Sequence, residues 1–183
     1  MVGVVTGIGG ALLVWAAVAL GANSGWFAFL VVWVPMTCLG TISRVMQPRM
    51  PRRYHELRDF ERNGRAYEVV GIRVVKWTLR RGPIAVFNPD LHLPAQQSPG
   101  RVAHLEQRMR DAEASHTILF LATVPVVLHA AARGWWGAAA LTLLFDVVMN
   151  GYPVMLQRYN RARLNLRYPQ LSSSLHEHAV EAE

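Results

Sequence analysis

Glu113 and His116 stand three residues apart in MRDAEASHTILFLATVP, where a charged stretch gives way to an apolar one. On a helix that spacing puts both side chains on one side. Histidine titrates near neutrality and suits the role of general base, and a nearby carboxylate can hold its tautomer. The pair therefore points to an acid and a base at a membrane surface, with His116 as base and Glu113 as its orienting partner. The competing reading is a solvated helix end whose charges satisfy one another. Asp146 and Asn150 form a second pair, four apart in an otherwise apolar stretch. An ionised carboxylate there must face protein, water or a polar ligand, the alternative being that Asp146 is protonated. A third group, Gln157, Arg158, Tyr159, Asn160 and Arg161, crowds hydrogen-bonding side chains just beyond that stretch. A basic flank explains the arginines but not the amides and the tyrosine, and the alternative is that the cluster holds phosphates or a charged lipid through the fixed donors of arginine.

The elements that must position these groups are read from hydropathy. Of 183 residues, 52% are hydrophobic and only 17% charged, and the charges are segregated. Every residue from Val2 to Ser43 is uncharged, and Thr117 to Leu156 carries only Arg133 and Asp146. Such tracts exceed what one small core can bury, so the expected class is an all-α integral membrane protein. Ala22-Asn23-Ser24-Gly25 divides the first tract into Val2–Gly21 and Trp26–Ile42, and Ala132-Arg133-Gly134 divides the second into Thr117–Ala132 and Gly134–Leu156. Sixteen residues at roughly 1.5 Å each make a short span. The third helix is therefore expected to begin before Thr117, to tilt little, or to thin the membrane around it. An early start places Glu113 and His116 on the same helix as the span. Four transmembrane helices result, with a cytoplasmic, partly interfacial segment between helices 2 and 3. The boundaries read as 1–43 for the first hairpin, 44–115 for the polar segment, 116–167 for the second hairpin with its basic flank, and 168–183 for a tail. Pro153, within Asn150-Gly151-Tyr152-Pro153, is expected to loosen the fourth helix.

Orientation follows from the nineteen basic residues. Fourteen lie between Ser43 and Ser115, four follow Leu156, and Arg133 sits in the short second hairpin. The positive-inside rule then places the polar segment and both termini in the cytoplasm, with Trp26, Trp135 and Trp136 as interfacial anchors. The net charge of +7 suits anionic lipid head groups or an anionic substrate, and nucleic acid is not expected. Residues 1–24 read as a retained helix, since no positive charge precedes the long apolar run. The lone Cys38 reads as a packing residue without disulfide or metal function. No metal site is expected, because His55-Glu56 and His176-Glu177-His178 lack a ligand spacing on ordered elements.

Within the polar segment, Pro48 and Pro51 are expected to stop the second helix. Leu57, Phe60 and Tyr67 suggest one side of a short helix lying on the membrane. Val69, Val70, Ile72, Val74 and Val75 favour an extended stretch, with an interfacial helix as the alternative. Gly82-Pro83, Pro89 and HLPAQQSPG read as loop. From Arg101 to Ser115 the pattern is helical, with Val102, Leu105, Met109 and Ala112 on one side and Glu106, Arg110 and Glu113 on another. The closing SSSLHEHAVEAE reads as a mobile tail.

QRYNRARL after Asn150…Pro153, together with FERNGRAYEVVGIRVVKW and RDAEASH, resembles the glycosyl-4,4'-diaponeurosporenoate acyltransferase family, small membrane acyltransferases of bacterial carotenoid glycolipid synthesis. The resemblance runs from about Pro48 to Arg167. It implies transfer of a fatty acyl group to a sugar hydroxyl of a glycolipid in a bacterial cell membrane. It also marks Glu61, Gly64, Tyr67 and Lys76, then Glu113 and His116, then Asn150, Pro153, Gln157, Arg158, Tyr159, Asn160 and Arg161. Direct attack of the hydroxyl on a thioester is expected, since no Ser or Cys sits in a nucleophile motif. Acyl-CoA or acyl carrier protein would be the donor, with no bound cofactor. Arg158 and Lys76 are candidates for anchoring donor phosphates or polarising the carbonyl, and Tyr159 and Asn160 for orienting the acceptor. The expected partners are membrane lipids, the glycolipid acceptor, and a homo-oligomer or lipid-synthesis complex. Two rival readings stand beside this one. One is a non-enzymatic glycolipid-binding or scaffold subunit of a lipid-synthesis or transport complex. The other is a small transporter centred on Asp146 and Asn150.

Overall fold

In hydrocarbon a backbone amide has no water to bond, so an apolar tract must close its hydrogen bonds within itself. Both apolar tracts do so as helices. The computed structural model describes residues 1–42, 50–81 and 99–169, and every regular element among them is helical. Helix α1, Val2–Ala16, continues through a π turn, Ala17–Gly21, into the first reversal. Gly21 takes a positive φ of 83° there, a conformation open to glycine. Ser24 then accepts a hydrogen bond at 3.1 Å from the Phe27 amide, opening α2, Gly25–Ile42. Helix α6, Pro99–Ala132, is 34 residues long and starts well before Thr117. After Gly134, with φ 75°, the chain returns through α7, Trp136–Asp146, a π turn, Val147–Gly151, and α8, Tyr152–Arg167. Four helical stretches are long and apolar enough to cross a membrane: Val2–Gly21, Gly25–Ile42, Gly100–Ala132 and Trp136–Arg167. The protein is an all-α integral membrane protein, as its hydropathy requires.

Two expectations for the polar segment need correction. Leu57, Phe60 and Tyr67 do not share a helix. After the single turn α3, Arg52–His55, the chain is irregular through Gly64, and only Tyr67 lies on a helix, α4, Arg65–Val69. Gly64 sits at φ 73° against the Tyr159 ring, where an added Cβ would come within 3.1 Å of the ring carbons. That close approach sets the path of the turn. The valine-rich stretch is not extended but takes the helical alternative: Val69 ends α4, Val70 lies in the turn, and Ile72, Val74 and Val75 lie on α5, Ile72–Arg81. β-propensity reflects fit to a pleated, half-buried surface beside other strands, and no strand exists among the described residues. Ile72 anchors α5 by complete burial, while Val74 and Trp77 stay exposed. Pro99 and Gly100, read as loop, instead open α6, where a proline's missing N–H costs nothing. The expectations for Pro48, for a loop over residues 82–98 and for a tail from 170 onward fall outside the described residues.

The chain divides into two compact units: Met1–Arg49 with Ala114–Val154, and Met50–Glu113 with Met155–Glu183. The first unit is apolar. An added Cβ on Gly9 would lie 2.6 Å from the Cys38 sulfur, so α1 and α2 meet closely there. Cys38 donates to the Val5 carbonyl at 3.6 Å, which makes it a packing residue. Phe29 and Phe145 pack edge to face with centroids 5.6 Å apart. Many large apolar side chains of this unit, including Ile8, Val18, Leu121 and Leu144, point outward, as helices facing lipid require. Trp26 and Trp136 are exposed, and Trp135 packs against His129 and under Arg133. The second unit is polar, and its apolar interior includes Tyr67, Ile72, Val102, Met109, Leu156 and Tyr159.

Candidate active site

In the first unit three polar side chains form a short hydrogen-bonded chain. Pro153 has no N–H to return to the preceding turn, and that turn, Val147–Gly151, has π spacing. Gly151 lies close to the Phe120 ring, 3.5 Å from where a Cβ would stand. Such π turns recur at functional sites. Asn150, on this turn, is completely buried, as is Asp146 at the end of α7. The Asn150 amide nitrogen donates to Asp146 Oδ1 at 2.7 Å, and Asn150 Oδ1 lies 3.0 Å from His116 Nδ1. When Asp146 is ionised it takes the amide's donor, the amide oxygen faces the imidazole, and an amide oxygen only accepts. His116 therefore donates from Nδ1–H, and its Nε2 keeps the lone pair. That is the tautomer of a general base.

The second unit holds an ion network built around two arginines of α8. Arg158 donates from Nε to Glu61 at 2.9 Å and to the Tyr67 hydroxyl at 3.2 Å. Its Nη1 donates to Glu113 at 2.6 Å and to the Tyr54 carbonyl at 3.0 Å. Its Nη2 donates to Glu61 at 2.8 Å and to the Glu56 carbonyl at 3.1 Å. Arg161 donates to the second Glu113 oxygen at 2.7 Å and to the His55 carbonyl, and it lies 3.9 Å from Glu106. Arg110 closes the set by donating to Glu106 at 2.6 Å. Glu113 is fully buried, and His55 Nδ1 approaches it at 3.5 Å. Three arginines thus face three glutamates, and the multiple hydrogen bonds offset the cost of removing these charges from water.

Glu61 also accepts from the Tyr67 hydroxyl and, at 2.7 Å, from the Arg58 amide. Burial acts to raise its pKa. The bonds from Arg158, Tyr67 and the Arg58 amide outweigh burial and lower it from 4.5 to about 2. Tyr67 is displaced upward, by burial first and by Glu61 next, so it remains a protonated donor. A carboxylate with a depressed folded pKa stabilises the fold above its unfolded value and loses that contribution as the pH falls through the folded one. Thermal unfolding in detergent should therefore show a loss of up to roughly 3 kcal/mol as pH drops from about 4.5 to about 2. The Glu61→Gln protein, less stable at neutral pH, should lack this part of the acid sensitivity.

Beside this network, Lys76 donates to Asn160 at 2.6 Å and lies 5.2 Å above the Tyr159 ring. The Tyr159 hydroxyl donates to Glu68 at 3.1 Å, and Glu68 pairs with Arg73 at 3.3 Å. Gln157 is half-buried on α8. Residues 51–168 match the family described as glycosyl-4,4'-diaponeurosporenoate acyltransferase. The chain belongs to this acyltransferase family. The matched region contains the whole ion network and the His116–Asn150–Asp146 relay, and the first hairpin lies outside it. No curated protein and no solved structure matched the chain.

For an acyltransferase of this family the geometry redistributes two expected roles. Both Glu113 oxygens accept from arginines, so it is Asn150 that holds the His116 tautomer. Arg158 has five N–H donors, and their six contacts leave no donor for a phosphate. Its role is to tie the segment around Tyr54–Tyr67 to α8 and α6. His55, Glu106 and the carbonyls of Tyr54 and Glu56 were not among the expected site residues. Glu106 had a signal, since it shares a helix side with Arg110 and Glu113. The partnership of His55 with Glu113 spans 58 residues and has no local signature. Asp146 and Asn150 were visible as a costly polar pair, but their link to His116 was not.

Proposed function

We propose that this acyltransferase moves a fatty acyl group from an acyl thioester to a hydroxyl of a glycolipid, at the cytoplasmic face of a bacterial cell membrane with both termini inside. The observation that supports the reading is the Asp146–Asn150–His116 chain of hydrogen bonds, which orients His116 and, with Asp146 ionised, leaves its Nε2 lone pair for the acceptor. In the reaction, Nε2 takes the proton of the acceptor hydroxyl as its oxygen attacks the thioester carbonyl carbon. The tetrahedral adduct collapses with cleavage of the carbon–sulfur bond. The leaving thiolate recovers the proton from the imidazolium, giving an ester and a free thiol. No covalent enzyme intermediate is required, and the lone Cys38 is engaged in helix packing. The four apolar spans support a membrane-embedded acceptor, because a glycolipid stays in the bilayer while its sugar reaches the interface.

The test is lipid analysis. Purified protein is incubated with membrane extract and acyl-CoA labelled in the acyl chain, and the lipids are separated and weighed by mass spectrometry. A glycolipid that gains one acyl mass is the expected product. Label remaining entirely in thioester and free acid would overturn the reading in favour of a glycolipid-binding or scaffold subunit.

A further inference from the structure

We infer that the cleft formed by residues 53–62 and Arg158 binds the phosphate-bearing head of the acyl donor, the adenosine diphosphate portion of coenzyme A. The inference rests on the acyl-transfer reading and assigns its donor and the donor's site. The cleft has a volume of about 660 Å³, within the range of about 300–1,000 Å³ usual for small-molecule sites. It lies wholly within the second unit.

Its charges favour an anion once their pairings are considered. Four arginines and three carboxylates line it. Arg158 is matched internally by Glu61 and Glu113 and presents no free donor. Arg62 pairs with Asp59 at 3.3 Å, but both side chains are largely exposed, at 72% and 94%. Such a pair holds weakly and yields readily to a phosphate. Arg53 and Arg58 are exposed, and no carboxylate among the described residues pairs with either. These three guanidinium groups can offer a diphosphate the planar, forked donors it needs. Glu56 is the one carboxylate of the lining without a cation partner among the described residues, and it opposes anion binding.

The cleft also carries an aromatic face and a stiff floor. Phe60, a large apolar ring, is 60% exposed among the arginines. A planar base can stack on it. The backbone around it is held from beneath. Arg158 bonds the carbonyls of Tyr54 and Glu56, Glu61 accepts from the Arg58 amide, and the Glu61 amide donates to the Arg58 carbonyl at 2.8 Å. A loop ordered before binding loses less entropy when a ligand arrives. This gives the saturated arginine a purpose: it shapes the cleft, and the exposed arginines fill it with charge.

The test is calorimetric titration of free coenzyme A, without an acyl chain, into the full-length protein in detergent. Wild type and His116→Gln should bind equally, because the head group does not involve the base. The double variant Arg53→Glu/Arg58→Glu should bind more weakly by about tenfold for each arginine, with an unchanged thermal midpoint. Glu56→Gln should bind more tightly than wild type, and salt should weaken all of them. Wild-type affinity in the double variant, or no binding of coenzyme A by wild type, would overturn the assignment. Binding of acyl carrier protein without coenzyme A would overturn it in favour of a protein donor. If coenzyme A binds as expected and no lipid gains label, the donor site stands and the transfer reading fails alone.

Discussion

His116→Gln protein should fold like wild type and lose acyl transfer by about 10²–10⁴-fold, the usual contribution of general acid–base catalysis. Glutamine keeps an amide that can donate to Asn150 Oδ1, so the polar contact inside the first unit survives. What disappears is the basic Nε2. The loss should fall on kcat, because binding of donor and acceptor does not depend on proton abstraction. Asn150→Ala supplies the companion measurement. It removes the acceptor at 3.0 Å that fixes the Nδ1–H tautomer, so it should reduce kcat while leaving a base in place, and its residual rate should exceed that of His116→Gln. Equal rates for wild type and His116→Gln would show that another group takes the proton.

The second large effect concerns stability. Arg158→Ala leaves Glu61, 5% exposed, without its cation, and Glu113, 0% exposed, with Arg161 as its remaining arginine. Breaking a buried pair by removing one partner costs about 3–5 kcal/mol. Here the backbone carbonyls of Tyr54 and Glu56 lose donors as well. Arg158→Lys should recover only part of the loss, since an ammonium is a point charge and cannot reach two carboxylates and two carbonyls from one planar fork. Thermal unfolding in detergent should rank wild type above Arg158→Lys above Arg158→Ala. The double variant Arg158→Ala/Glu61→Gln should lose less than the sum of its single changes, because the second substitution removes a charge left unpaired by the first. Simple additivity would mean that the two residues act independently, against the geometry.

The same two experiments separate chemistry from scaffold. His116 touches only Asn150 among the polar partners described, so its loss should read out in turnover. Arg158 touches residues from three parts of the chain, so its loss should read out first in the melting curve. A protein that melts normally and turns over slowly has lost its base, whereas one that melts early has lost the frame.

Sequence alone determined the membrane architecture. The need to satisfy backbone hydrogen bonds in hydrocarbon is local, so tract lengths and the Ala22–Gly25 and Ala132–Gly134 reversals could be read from composition, whereas the early start of the third helix was one of three alternatives that the 34-residue α6 decided. Motifs from Phe60 to Leu164 likewise carried the family. Tertiary structure decided the rest. It made the valine-rich stretch helical, because β-propensity has no effect without a neighbouring strand. It gave Arg158 to Glu61 and Glu113, 97 and 45 residues away, and so turned an expected phosphate anchor into a strut. It gave the His116 tautomer to Asn150, 34 residues away, although Glu113 is nearer in sequence. Spacing along one helix states which side chains are able to meet. Which partner a donor takes depends on every acceptor the fold brings within about 3 Å, and that is a property of the folded chain.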